Sequence, residues 1–188
     1  MKSFLLLLLL MVLSTPRLWA QEDEKHVDIE VEQETEYEGE FKHHQIGAML
    51  GHIHISQGHN SKGKRWLVLP MISINYNYKF NERWGIGLHT DLTLESYEVE
   101  ENENEIVERE TPIAPAIMGI FKPGKHFTYM LGFGEEFAEE EDLFLIRAEV
   151  EYGLELPKEF EFGASVGWDF RFDAYDSWVL AVGVSKLF

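Results

Sequence analysis

The chain has 188 residues, 34 acidic against 16 basic side chains, a formal charge of −18 and no cysteine. Such an acidic balance argues against nucleic acid or any anionic surface as a partner held by long-range attraction. Without cysteine there are no disulfides, thiol nucleophiles or thiolate metal sites.

Residues 1–20 have the form of an export signal. Lys2 supplies the positive start, Phe4 to Leu13 the apolar run, and Ala20 the small residue before the expected cut. The apolar run is far shorter than the roughly 20 residues of a membrane-crossing helix, and no later segment is longer. Residues 21–42 hold ten acidic side chains and two lysines among scattered Val, Ile, Tyr and Phe. This composition predicts a solvated, largely disordered leader.

From His43 onward the period is two. In 159–173, Phe160, Phe162, Ala164, Val166, Trp168, Phe170 and Phe172 share one face, and Glu161, Gly163, Ser165, Gly167, Asp169 and Arg171 share the other. Trp84, Ile86, Leu88 and Leu92 likewise oppose His89, Asp91 and Glu95, and Phe144, Ile146, Val150 and Tyr152 oppose Arg147, Glu149 and Glu151. The pattern predicts eight strands, near 43–56, 64–80, 83–96, 106–122, 126–137, 143–156, 159–173 and 177–188. Pro112 and Pro115 interrupt the fourth, and the first is apolar on both faces.

Short turns fall at Asn81 to Arg83, Pro123 to Lys125 and Pro157-Lys158. Longer connections fall at Gln57 to Gly63, Tyr97 to Glu105, Ala138 to Asp142 and Ala174 to Asp176. This alternation suits an all-β, eight-stranded antiparallel up-and-down transmembrane barrel over 43–188, with short turns and both termini in the periplasm and long loops outside. A soluble lipocalin-like barrel has the same period with its apolar face inward. Aromatics at strand ends, mixed charges on the polar face and an aromatic last residue favour the membrane form.

The strand count, the turn asymmetry and the segment Ser177 to Phe188 resemble the small eight-stranded bacterial outer-membrane barrels of the OmpA/OmpX type. In that likeness Leu180, Val182, Val184 and Phe188 occupy the apolar places of a C-terminal assembly signal, and Lys186 departs from it. The resemblance implies outer-membrane lipid and lipopolysaccharide as surroundings, the barrel-assembly machinery as a partner in biogenesis, a monomer and no cofactor.

The polar face predicts a lumen network of Lys79, His89, Asp91, Glu95, Glu136, Arg147, Glu149, Glu151, Asp169 and Arg171, in which charges pair and fill the interior. A sharper reading is a metal site of His52, His54, His89 and Asp91, which converges only if the first strand turns its histidines inward. A lipid-modifying enzyme would need a Ser-His pair with an orienting carboxylate. His54, Ser56, His59 and Ser61 offer the first two, but spacing pins no acid. The acidic loops Glu95 to Glu110 and Glu135 to Asp142 would attract divalent cations or a basic partner. The expected function is therefore a structural, adhesive or surface-interaction barrel with a plugged lumen, with a small-ligand or metal-transport barrel second.

Overall fold

The computed structural model describes residues 41–59, 65–100, 106–139, 141–172 and 174–188. The expected export signal, the part of the expected leader before Phe41, Ser61 and the loop segments 60–64 and 101–105 lie outside the described residues.

Ten strands form among the described residues, β1 His44–His59, β2 Arg65–Lys79, β3 Trp84–Thr93, β4 Tyr97–Glu100, β5 Ile106–Arg109, β6 Ile113–Phe121, β7 Phe127–Glu136, β8 Leu143–Leu156, β9 Phe160–Arg171 and β10 Asp176–Leu187. Eight make the wall, in the order β1, β2, β3, β6, β7, β8, β9, β10, and β10 returns to pair antiparallel with β1 from Gln45↔Leu187 to Ile55↔Ser177. Closure leaves the wall without a free edge, which is what lets a sheet cross hydrocarbon.

The alternation decides which face is outward. Ile46, Leu50, Ile74, Leu88, Leu131, Val166, Leu180 and Val182 are all exposed on the outside, while Ser73, Asn75, His89, Arg147, Ser165 and Asp169 are buried inside. An apolar surface this continuous is far larger than water-exposed proteins tolerate, so the inverted, soluble arrangement does not apply. Aromatic rings mark both margins of this surface. Trp66, Trp178, Phe144 and Phe172 are exposed toward the long loops, and Tyr78, Phe80, Trp84, Phe127, Tyr152, Phe160 and Phe188 toward the short turns.

One strand expectation needs correction. The segment 106–122 is not one strand, because Pro112 removes a donor and Thr111 turns to a positive φ of 37°. Only β6 enters the wall, pairing β3 from Trp84↔Phe121 to Leu92↔Ile113. The acidic Tyr97 to Glu105 stretch is likewise not simply loop, since β4 pairs β5 in a hairpin that continues the sheet past β1 through Gly58↔Val99 and His59↔Glu98.

The turns obey local chemistry. Asn81 Oδ1 accepts the backbone N–H groups of Arg83 and Trp84 at 2.9 and 3.0 Å, an Asx turn that reverses the chain between β2 and β3. Between β8 and β9 a single 3-10 turn, Pro157–Glu159, does the same. In β7, Gly132 and Gly134 face the close-packed carbonyls of Ile117 and Pro115, where a Cβ atom would clash. Glycine is required there by proximity of the neighbouring backbone.

Candidate functional site

The lumen is the candidate site, and its contents change along its length. Near the short turns, Lys122 pairs with Glu161 at 3.0 Å, and Gln45 donates to the second oxygen of Glu161 at 3.0 Å and to Ser185 at 2.7 Å. One level up, one ring nitrogen of His89 lies 2.9 Å from Asn77 Oδ1 and the other 3.3 Å from Glu149. These side chains come from β1, β2, β3, β8, β9 and β10, with Lys122 just past the end of β6, because each strand sends every second residue inward.

Above them Arg147 forms a fork with Asp169, Nε to Oδ1 at 2.7 Å and Nη2 to Oδ2 at 2.8 Å, and reaches Asp91 at 2.8 Å. The register sets this up, since Arg147 lies directly opposite Asp169 across the β8–β9 ladder. Planar bidentate pairs of this kind are the strong form of ion pair. Arg171 then joins Glu136 at 2.6 Å and donates to Ser177 at 2.9 Å.

The loop end is closed by the hairpin. Arg109, with no exposed surface, hangs from β5 into the lumen and donates to Glu136 Oε1 from Nε at 3.1 Å and Nη2 at 2.8 Å. Its Nη1 donates to the Glu141 carbonyl at 2.6 Å. Tyr175 donates to the same Glu136 oxygen at 2.6 Å, stacks against Arg171, whose guanidinium carbon is 4.5 Å from its ring, and shares a short hydroxyl contact with Tyr97 of β4. Around this polar knot pack Ile53, Ile55, Leu69, Met71, Val99, Leu143 and Val179. The end facing the loops is therefore apolar as well as ion-paired.

Burial pushes the hydroxyls of Tyr97 and Tyr175 well above the ordinary phenol range, so both remain proton donors. Burial alone would pull Arg109 down, but Glu136 beside it more than offsets this and holds the guanidinium charged. On the exposed face of the hairpin, a hydrogen bond to Glu139 and then its charge raise the Glu110 carboxyl.

Spaces inside the lumen are small. The three along its length measure ≈ 30, ≈ 20 and ≈ 10 Å³, the last beneath Arg147. One water occupies roughly 10–15 Å³ by this kind of measure, so these separate spaces hold from one to about three waters each. A wider vestibule of ≈ 540 Å³ opens at the turn end.

Of the residues expected in the lumen, Lys79, His89, Asp91, Glu136, Arg147, Glu149, Glu151, Asp169 and Arg171 face inward. Glu95 does not. It stands exposed beyond the end of β3, in the turn to β4. The metal set also fails to assemble, because β1 directs Ile53 and Ile55 inward at 3% and 0% exposure and so turns His52 and His54 outward, away from His89 and Asp91. No group of three or more metal-ligating side chains is found among the described residues. Ser56, also turned from the lumen, donates to the Asp176 carbonyl at 3.5 Å.

Arg109, Tyr97, Tyr175, Gln45, Lys122 and Glu161 are additional members of the network. The alternation Tyr97, Val99 and Val107, Arg109 carries the signal for the hairpin, obscured by the intervening glutamates.

The fold is that of the small eight-stranded outer-membrane β-barrels. Among solved structures the chain is similar to Neisserial surface protein A, at 12% identity and TM-score 0.53 over 77% of this chain and 97% of that one. It is similar to OprG of Pseudomonas aeruginosa at 12% and 0.51, over 78% and 97% of the two chains. It is also similar to Ail of Yersinia pestis, solved in complex with the heparin analogue sucrose octasulfate, at 14% and 0.51 over 77% and 99%. At these identities the likeness is one of fold. No family model matches the chain, and no curated protein matches it in sequence.

Proposed function

We propose that this chain is an integral outer-membrane barrel of structural or surface-interaction type, with a sealed lumen and its working surface at the loop end. The observation that carries this is Arg109, which belongs to a loop hairpin yet is wholly buried in the lumen on Glu136. A hairpin pinned in this way closes the barrel and presents its other face, Glu98, Ile106 and Glu108, outward. Three guanidiniums, Arg109, Arg147 and Arg171, meet three carboxylates, Asp91, Glu136 and Asp169, so the filling is locally neutral.

In this reading the short turns face the periplasm and the hairpin faces the exterior, as in barrels of this architecture. The apolar belt and its two aromatic margins support insertion, and the acidic outer face of the hairpin suits a basic partner or cation-bridged lipopolysaccharide.

Planar-bilayer recording tests the seal. Purified barrel is expected to give no stepwise conductance in 1 M salt, and regular single-channel openings would sink the reading. Orientation is tested by cysteine labelling of intact cells: Glu108→Cys should react with a membrane-impermeant maleimide and Lys125→Cys should not.

A further inference from the structure

The vestibule at the turn end is unused by the sealed-barrel reading, and its two halves differ in chemistry. On one side the β2–β3 and β6–β7 turns supply Lys79, Arg83, Lys122 and Lys125. These turns adjoin, because β3 pairs β6 and Lys122 N–H donates to the Arg83 carbonyl at 2.8 Å. On the other side the start of the described chain and the end of β10 supply Phe41 and Leu187, with Leu156 and Phe160 at the outer rim.

The charges are unevenly engaged. Lys122 is tied to Glu161, and Lys42 to Glu159. Among the described residues the side chains of Lys79, Arg83 and Lys125 make no hydrogen bond or ion pair; Glu82 is exposed at the turn beside Arg83, and Glu161, Glu151 and Glu155 act on Lys79 through space. Glu155 lies across the mouth on the β8–β9 side. In a chain of formal charge −18 this is a local excess of cations within a concave space.

At ≈ 540 Å³ the space falls within the roughly 300–1,000 Å³ of ordinary small-molecule sites. The Gln45–Glu161–Lys122 contacts form its floor, and below them the spaces fall to ≈ 30 and ≈ 20 Å³. A ligand would stay at the mouth.

We propose that this vestibule binds a small amphipathic anion, with its carboxylate or phosphate on Lys79, Arg83 and Lys125 and its apolar part against Phe41 and Leu187. Charge-assisted hydrogen bonds fix the head, and apolar burial adds the remainder. The site is separate from the loop-end plug, so it can fail or stand without the sealed-lumen reading.

The test titrates the full chain in lipid nanodiscs with sodium hexanoate, following the amide resonances of Gly124 and Lys125, with hexanamide and inorganic phosphate in parallel. Saturable shifts are expected with hexanoate, with no saturation by hexanamide and weaker binding of phosphate. The exposed pair Arg83→Gln/Lys125→Gln should weaken hexanoate binding about tenfold, and Glu108→Gln at the other end should leave it unchanged. Lys79→Gln serves as a second, independent variant. The proposal is overturned by an absence of saturable shifts with hexanoate, by equal response to hexanamide, by phosphate binding as tightly as hexanoate, or by unaltered affinity in both the double and the Lys79 variants.

Discussion

Arg109 and Glu136 lie 27 residues apart in sequence and meet inside the barrel with two hydrogen bonds from one guanidinium to one carboxylate oxygen. This contact pins the β4–β5 hairpin, whose ladder to the wall among the described residues is the Gly58↔Val99 and His59↔Glu98 pairs. Arg109→Ala should therefore release the hairpin without dissolving the wall, since Glu136 retains Arg171 and Tyr175. Hydrogen exchange should show lost protection over 97–100 and 106–109, with amides of β8 and β9 unchanged. Equal loss everywhere would mean that the plug is part of the barrel's global stability.

Arg147 has no such reserve. Its removal leaves Asp169, among the described residues, with the 3.5 Å contact to Arg171, and leaves Asp91 without its guanidinium. Arg147→Ala should cost about 3–5 kcal/mol, the usual penalty for stranding a buried charge. Arg147→Lys should recover only part, because an ammonium cannot form the fork. Urea unfolding of the barrel in lipid vesicles measures both.

His52 and His54 face out of the barrel, at the level of Leu180 and Trp178 in the β1–β10 ladder. A leucine at either place suits a hydrocarbon-facing wall at least as well as an imidazole. His52→Leu/His54→Leu is thus expected to leave the urea midpoint unchanged or raised, and added zinc should not shift it through these residues. A drop of more than about 1 kcal/mol, large for an outward substitution without a specific contact, would show that the imidazoles have partners in the membrane.

The buried phenols give a pH signature. With Tyr97 and Tyr175 raised by burial, their neutral forms are favoured by folding, so that contribution is fully present below the ordinary phenol value of about 10 and is lost progressively as pH rises from there through their raised values. Ultraviolet titration should show these two missing from the step near pH 10 of ordinary tyrosine. In Arg109→Ala, Tyr97 should rejoin it as the hairpin opens to water, while Tyr175 stays held by Glu136 and Arg171.

Much of the wall was legible because the period-two signal survives wherever one face meets lipid and the other a polar lumen. Arg147, Asp169, Arg171 and Glu136 declared themselves by standing opposite Ile146, Trp168, Phe172 and Phe137. The rule fails in β1 for a physical reason. Its outer half borders the apolar part of the plug, so Ile53 and Ile55 point inward and the histidines outward, the reverse of a polar-in pattern. Glu95 was misplaced because alternation was extended past Thr93, where β3 ends. The hairpin escaped notice because its inward residues are spaced among glutamates, and because their value lies in a tertiary contact with Glu136 that local pattern does not encode.

The seam between β1 and β10 has a consequence for how the molecule comes into being. It brings together residues such as Gln45 and Ser185, 140 positions apart, so in a chain made from one end to the other its second partner is synthesised long after the first. Until that meeting, the nascent sheet has two naked edges and Arg147, Asp169 and their neighbours lie open to solvent or lipid. Contacts so distant form slowly, and unpaired strand edges invite association with other chains. The protein's most vulnerable moment is therefore before closure, and a chaperone that shields those two margins would act on the step that limits its yield.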